Sequence, residues 1–378
     1  MLFILALAAP HLRAQEPADS VTVANLDSLH LTSSLPDSVL VARLSDLNPF
    51  FSLPFNDIVR NYMVSYSEKR GVAMQKATAL SGYYFPIFEE TFRRYGMPLE
   101  LKYLAVVESM LNPTAMSRAG ALGIWQFMYR TARAHGLRID SYIDERMDVE
   151  KSTDAAARYL RTLYETFGDW PLAISAYNCG AGNVNKAIRR ADGKRDFWSV
   201  YPYLPRETRR YMPAFAGMMY AFSYGNFNSA DSLAAFVPER VDTFEVHRNL
   251  HMKQVSEVVG VPLDHLRYLN PKYYNDIIPG AAGSCTLIVP EEWSNAWLNV
   301  AADSLYSYKA SEYMSDQVIR DIASGKGTGG GARTSYVVRS GDTLSYIARR
   351  YRVSVKQLMS WNHLKSDRLR IGQKIYIY

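Results

Sequence analysis

The sequence predicts a multidomain chain, with a mainly α domain followed by small α+β modules of βααβ order. Three observations carry that reading. Between Pro54 and Tyr224, helix-length segments are separated by Gly and Pro punctuation such as Tyr95-Gly96-Met97-Pro98, with little apolar/polar alternation. After Phe236-Val237-Pro238 the pattern changes to short apolar strands around short helices. The final module, residues 335–378, has a diverged copy of itself 92 residues earlier. At 378 residues and 48% hydrophobic composition the chain can bury sizeable cores, which excludes a disordered polymer and a small disulfide-stapled scaffold.

The chain opens with Met1-Leu2-Phe3-Ile4-Leu5-Ala6-Leu7-Ala8-Ala9, an apolar run that ends in small residues. Residues 1–15 read as a signal peptide, an imperfect one because no Lys or Arg precedes the run, so the mature protein is expected to be soluble and exported. No cysteine near residue 15 offers a lipid attachment point, and no apolar run approaches the roughly 20 residues of an integral membrane segment. Residues 16–49 are Ser/Asp/Thr-rich and suit an irregular lead-in, and residues 50–236 form the α domain. Within it, Ala156, Tyr159, Leu160, Leu163 and Phe167 fall at helical spacing, with Ser152 or Thr153 placed to cap and Gly168 to terminate.

In the terminal module the expected order is strand 336–338, helix 344–351, helix 355–362 and strand 374–378, with Ser354 and Gln357 as a capping box. Sliding it back places Val338 on Val246, Leu344 on Met252, Ile347 on Val255, Val353 on Val261, Leu358 on Leu266 and Asn362 on Asn270. One offset serves every pair without a gap, so residues 240–291 are a degenerate copy. Residues 292–334, which include the Gly-rich stretch 325–331, are expected to be a linker.

The chemistry concentrates in the α domain. In Tyr103-Leu104-Ala105-Val106-Val107-Glu108-Ser109-Met110 one carboxylate follows an almost uninterrupted apolar run. Desolvation there disfavours the charged form and suits a proton donor, while the bland alternative is a Glu that emerges on a polar face or pairs with an Arg. Two cysteines, Cys179 and Cys285, and seven scattered histidines without an HExxH pair leave no Cys-rich or HExxH-type metal site, and no metal or cofactor is expected. Two free thiols are the favoured reading, with a Cys179–Cys285 bridge the alternative. No nucleic-acid-binding motif stands out, so nucleic acid is a poor partner.

Glu108-Ser109, Gly123-Ile124-Trp125-Gln126 and Ala176-Tyr177-Asn178, in that order, resemble the signatures of the lysozyme-like lytic transglycosylases. Asp144-Glu145-Arg146, Asp148-Val149-Glu150-Lys151-Ser152-Thr153 and Leu204-Pro205-Arg206-Glu207-Thr208 resemble the branch called membrane-bound lytic murein transglycosylase D. The likeness runs from about Phe50 to Phe222, and Trp125 stands where methionine is usual. It implies a lysozyme-like catalytic domain that cuts peptidoglycan glycan strands between N-acetylmuramic acid and N-acetylglucosamine without consuming water, in the periplasm or at the cell wall or outer membrane. Glu108 is then the catalytic residue, and Ser117, Gln126, Tyr177, Asn178 and Tyr211 are substrate-binding groups. Gln126 could instead be a structural hydrogen-bonder and the tyrosines ordinary packing. Glu207 either bonds pocket residues or pairs with Arg209 on the surface. Two readings compete: a lysozyme-type hydrolase in which Asp140 or Asp144 steers water, and an inactive glycan-binding protein.

The opening Tyr336-Val337-Val338-Arg339-Ser340-Gly341-Asp342-Thr343-Leu344 and the ending Leu369-Arg370-Ile371-Gly372-Gln373-Lys374-Ile375 resemble the LysM domain, a βααβ glycan binder. That likeness implies glycan contacts by Gly341, Asp342, Thr343, Leu344 and Ile371. In the earlier copy, Gly341-Asp342-Thr343-Leu344 becomes Asn249-Leu250-His251-Met252, which keeps fold-forming apolar positions and loses the sugar-facing loop. Charge is partitioned in the same way. Residues 335–378 carry nine Lys and Arg against two Asp, a net +7, so the remainder of this +6 chain is near neutral. Protein partners are not legible.

Overall fold

The computed structural model describes residues 31–47, 50–51, 54–117, 119–140, 142–227, 237–323, 334–339, 341–351 and part of 355–377. The signal-peptide reading, the Ser354 capping box and the Gly-rich stretch lie outside them. The helices of the first part are α1 (Asp37–Asp46), α2 (Asp57–Val64), α3 (Gly71–Arg94), α4 (Tyr103–Ser109), α5 (Tyr129–Ala134), α6 (Val149–Phe167), α7 (Trp170–Cys179), α8 (Ala181–Arg190), α9 (Phe197–Val200) and α10 (Arg206–Tyr224). Then come β1 (Val241–Val246), β2 (Asn249–His251), α11 (Met252–Val259), α12 (Leu263–Leu269), β3 (Ile277–Pro279) and β4 (Cys285–Pro290). Four short helices follow, α13 (Ser294–Asn299), α14 (Ala302–Ser307), α15 (Ala310–Tyr313) and α16 (Asp316–Ala323), and then β5 (Thr334–Val337), α17 (Leu344–Arg350) and β6 (Lys374–Ile377). The chain divides into two compact units, one within residues 1–75 and 160–228, the other within 76–159 and 229–378.

In the first unit Leu40, Leu44, Val59, Met63, Val64, Ala216 and Tyr220 form a core. Gly217 lets α10 meet α2 closely, since a Cβ there would stand 2.8 Å from the Tyr62 carbonyl oxygen. Helix α1 corrects the expected irregular lead-in. Its Leu40 and Leu44 are one helical turn apart and buried, with Leu31, Leu35 and Leu47 packed against the same core, so apolar spacing overrides the polar composition around it. Arg60 of α2 ties down the approach to α1, its Nε donating to Asp37 at 2.7 Å and its Nη1 to the Leu31 carbonyl at 2.7 Å.

The second unit is built around Trp125, which is buried against the rings of Phe88 and Phe92 and donates its Nε1 proton to Thr153 Oγ1 at 2.8 Å. Helix α6 starts at Val149, three residues before the expected cap. Asp148 Oδ1 accepts from Lys151 N at 3.0 Å, while Ser152 and Thr153 are buried. Gly168 ends the helix in the left-handed region (φ 68°) as expected.

The diverged copy folds as a module of its own, with β1 and β4 antiparallel in the register Val241↔Pro290 to Val246↔Cys285. Every residue that the offset pairs with the terminal module is buried here: Val246, Met252, Val255, Val261, Leu266 and Asn270. Asn270 Nδ2 donates to Leu266 O at 2.9 Å, the bond that Asn362 makes to Leu358 in the terminal copy, also at 2.9 Å. The expected linker is corrected over most of its described length. Residues 294–323 are largely helical, Leu305 is buried in the module's core, and Trp297, Val300, Tyr306 and Val318 pack on it. These apolar side chains need a partner surface, which a solvated linker does not provide.

In the terminal module β5 and β6 pair antiparallel from Thr334↔Ile377 to Val337↔Lys374 over a core of Tyr336, Val338, Leu344, Ile347, Ala348, Leu358 and Ile375.

Candidate active site

The expected site residues of the α domain fall in two groups, one on each unit. In the second unit Glu108 lies one residue from the end of α4. The buried Leu104, Ala105 and Val106 precede it, and Glu108 itself is half-buried, so the carboxyl emerges where the apolar run ends. Helix α4 stops abruptly because Met110 (φ 51°) and Leu111 (φ 61°) both take left-handed backbone, a conformation that costs non-glycine residues energy. Gln126 is a third such residue (φ 49°). Strain concentrated in the segment that follows a half-buried acid is what a functional loop held open by its surroundings looks like.

Ser109 connects the helix to that loop. Its hydroxyl lies 2.9 Å from Ile124 O and 3.1 Å from Ala105 O, so one proton is shared between two carbonyls. The loop is closed by Leu122 and Phe127, which exchange two backbone bonds at 3.1 Å, and by Gly123 N donating to Ala115 O at 2.9 Å. Gln126 Nε2 donates to Ala115 O and Gly123 O, both at 2.8 Å. Its amide protons therefore serve the loop, and what it can offer a sugar is its carbonyl oxygen, an acceptor only. Ser117 is half-buried, and its Oγ accepts from Ala121 N at 3.0 Å while its own proton can still donate.

Arg146 forms the back of the loop. Its guanidinium grips Asp144 with two bonds (Nε to Oδ1 at 2.9 Å, Nη2 to Oδ2 at 2.7 Å), and Nη1 reaches Gly120 O at 3.2 Å and Phe127 O at 3.4 Å. Gly123 packs against the same residue with φ 91°, and a Cβ there would sit 1.8 Å from Arg146 O. Asp144 is thereby committed to structure. So is Asp140, which accepts from Tyr142 N at 2.8 Å, Ile143 N at 2.9 Å and Arg138 Nε at 2.7 Å. The carboxylates that a hydrolase would use to steer water are both occupied as turn and clamp acceptors. Trp125, which stands where methionine is usual, is a core residue.

In the first unit Tyr177 and Asn178 end α7, a helix capped by Asp169, whose Oδ1 accepts from Leu172 N at 2.8 Å. The run Pro171–Ala176 is buried, which brings the half-buried Tyr177 and the exposed Asn178 to the surface at its end. Thr208 Oγ1 donates to Asn178 Oδ1 at 2.8 Å and fixes which side of the amide carries its N–H donors. Sequence reasoning missed Thr208, a buried residue beside the exposed Glu207 in the first turn of α10. Arg209 donates to Leu204 O at 2.9 Å and Pro202 O at 2.6 Å. Tyr211 is buried. Cys179 and Cys285 are both free thiols, each pushed up by burial.

The terminal module divides its own five candidates. Asp342 folds the loop, its Oδ2 accepting from Arg339 N at 2.7 Å and Tyr336 OH at 2.7 Å, and these bonds, the backbone one first, hold its carboxyl below the usual range. Thr343 Oγ1 accepts from Tyr346 N at 3.1 Å and caps α17. Leu344 is 1% exposed, which corrects its expected glycan contact, since a core side chain cannot be offered to a ligand. Ile371 is 74% exposed and Gly341 is left-handed at the loop surface (φ 85°). In the earlier copy the equivalent loop is gone. Asn249–His251 form β2, paired with β3, and Leu250 is buried. Among the described residues no His, Cys, Asp and Glu cluster could hold a metal, and no helix is long and apolar enough to cross a membrane.

Three family matches cover these parts separately. The Transglycosylase SLT domain matches residues 85–199, the LysM-like domain of lytic transglycosylase MltD residues 240–306, and the LysM domain residues 336–377. The second match ends at residue 306, beyond the expected boundary at 291. Membrane-bound lytic murein transglycosylase D of Escherichia coli K12 is 32% identical over 350 residues, 92% of this chain and 74% of the relative. Peptidoglycan transglycosylase gp16 of Escherichia phage T7 is 37% identical over 132 residues, 34% of this chain and 10% of the relative. An autolysin of Enterococcus faecalis is 51% identical over 49 residues, 13% of this chain and 7% of the relative. The order of the modules and the extent of the first likeness agree: the chain belongs to the membrane-bound lytic murein transglycosylase D family.

Proposed function

We propose that the protein is a peptidoglycan lytic transglycosylase in which Glu108 serves as the single acid and base. The observation that carries this reading is the half-buried Glu108 beside a strained, clamped loop whose neighbouring carboxylates, Asp140 and Asp144, are already spent on structure. An ordinary glycosidase needs a second carboxylate as nucleophile or base. Here Glu108 protonates the glycosidic oxygen as the bond from C1 of the muramyl residue breaks, and the substrate's own acetamido carbonyl stabilises C1 from the other face. The Glu108 carboxylate then takes the proton of the muramyl 6-hydroxyl as O6 attacks C1. The 1,6-anhydro ring closes, the acetamido group is released and Glu108 is protonated again, with no water consumed. An intramolecular hydroxyl outcompetes water because its effective concentration is on the order of 10⁵ M when well oriented.

The same reading takes Ser117, Gln126, Tyr177, Asn178, Tyr211 and Glu207 as substrate-binding groups, whose hydroxyl, amide and carboxylate atoms can bond sugar hydroxyl and acetamido groups and whose tyrosine rings can face a sugar. The terminal module holds the enzyme on glycan through the loop that carries Gly341 and the exposed Ile371. The substrate lies in the cell envelope, so the chain works outside the cytoplasm. Digestion of purified sacculi followed by mass spectrometry of the fragments tests the reading. Anhydromuramyl ends are expected from the wild type, and Glu108→Gln should lower their yield by at least about 10³-fold. Reducing muramic acid ends, or a fully active Glu108→Gln, would overturn it.

A further inference from the structure

The buried charges behind the active-site loop are completed by the module at residues 240–306. Residues 142–144 and 272–274 run side by side, with Asp144 N donating to Lys272 O at 2.9 Å, Tyr274 N to Tyr142 O at 2.9 Å, and Ile143 bridging Tyr273. Tyr142 and Ile143 are buried in the module's own core. Lys272 Nζ donates to Asp148 Oδ2 at 2.7 Å and Thr286 Oγ1 at 2.8 Å, in a pair whose side chains are 6% and 8% exposed. Tyr274 OH donates to Asp144 Oδ2 at 3.1 Å, the oxygen that also receives Arg146 Nη2.

A physical sequence of contacts therefore runs from the module to the loop. Tyr274 orients the Asp144 carboxylate, Asp144 orients the guanidinium fork of Arg146, and Arg146 holds the Gly120 and Phe127 carbonyls and backs Gly123. A planar fork transmits orientation because two parallel bonds fix it in its plane. Meanwhile, the loop by which the module would meet sugar has become the strand β2.

We infer that the 240–306 module acts on catalysis as a positioning element, with Tyr274 and Lys272 as positioning residues for the Ser117–Phe127 loop. The inference rests on the reading that this loop contacts substrate beside Glu108. Without the Tyr274 hydroxyl the buried carboxylate lacks one donor and rotates, the fork follows, and the loop loses its register against the acid. Small displacements suffice, since misplacement by about 1 Å can cost about 10²-fold in rate.

The test uses the full chain and soluble peptidoglycan fragments, comparing Tyr274→Phe and Lys272→Met with wild type well below their melting temperatures. Tyr274→Phe keeps the ring and should fold. Roughly a tenfold lower kcat is expected, with KM and retention on sacculi unchanged. Amide exchange should accelerate at Leu122, Gly123 and Phe127 and stay constant in β1 and β4. Lys272→Arg should retain much of what Lys272→Met loses. Unchanged kcat and unchanged loop exchange in both variants would overturn the proposal, as would a raised KM with kcat intact, which would make the module a sugar binder. The exchange readout is independent of the chemistry, so it still tests the coupling if wild-type enzyme forms no anhydro ends and the functional reading alone fails.

Discussion

Replacing Gly123 by Ala tests the loop architecture most directly. The added Cβ would lie 1.8 Å from Arg146 O and 2.7 Å from Arg146 C. A carbon–oxygen contact needs about 3.3 Å, so the two backbones must separate by about 1.5 Å. Arg146 is poorly able to yield because Asp144, Gly120 and Phe127 hold its side chain. The loop moves instead, and with it Gln126 and the Ile124 carbonyl that receives Ser109 from the Glu108 helix. Positive φ adds about 1–2 kcal/mol of strain, and overpacking costs about 1–3 kcal/mol. Turnover should fall by about 10²-fold, far more than the stability loss would cause. Gly136→Ala is the control: φ there is 83° and nothing lies within 4 Å of the added Cβ, so it carries the strain without the clash. The assay is the rate of anhydromuropeptide release, with thermal melting measured alongside. A Gly123→Ala enzyme that turns over within about twofold of wild type, or one no slower than Gly136→Ala, would refute the argument.

Two further outcomes can be checked. Burial, then the charges of Lys253 and Arg267, depress the His251 imidazole below 6.5 against the opposing pull of Asp276, and its Nδ1 accepts from Lys253 N at 3.1 Å as the cap of α11. The unfolded chain therefore binds a proton that the folded module refuses, so stability is full above pH 6.5 and falls as the pH drops below it. His251→Asn keeps a cap acceptor without titrating and should flatten that acid slope in melting curves. His135, lowered in the same direction by burial and Arg158, accounts for a residual slope, and an unaltered slope in the variant would exclude His251. Retention on sacculi should weaken as salt rises and disappear when residues after Gly331 are deleted, because the net +7 of residues 335–378 meets stem-peptide carboxylates through screened solvent. Binding that is indifferent to salt would mean that sugar contacts alone hold the module.

Much of the fold was legible because its signals are local. The fixed offset between the two modules survives as the buried pairs Val246 and Val338, Met252 and Leu344, Val255 and Ile347, and Leu266 and Leu358, and as the same Asn-to-carbonyl bond at Asn270 and Asn362. Where local readings competed, tertiary packing decided. Ser152 and Thr153 looked like caps and are buried, while Asp148 caps the helix. The apparent lead-in contributed a helix, and the apparent linker closed a core.

By itself the sequence determined the succession of an α domain and two βααβ modules, the candidate acid Glu108 and the concentration of positive charge at the end of the chain, since hydrophobic period, turn residues, motif order and charge are all written within short windows. Only the tertiary structure decided what each polar residue is for. Along the chain Asp144 is a candidate for steering water, and in the fold it holds the guanidinium of Arg146. Lys272 and Asp148, 124 residues apart, form a buried pair. Asn178 finds Thr208 across 30 residues. A buried polar group must find its partner wherever the fold brings one, and sequence separation carries no record of that pairing.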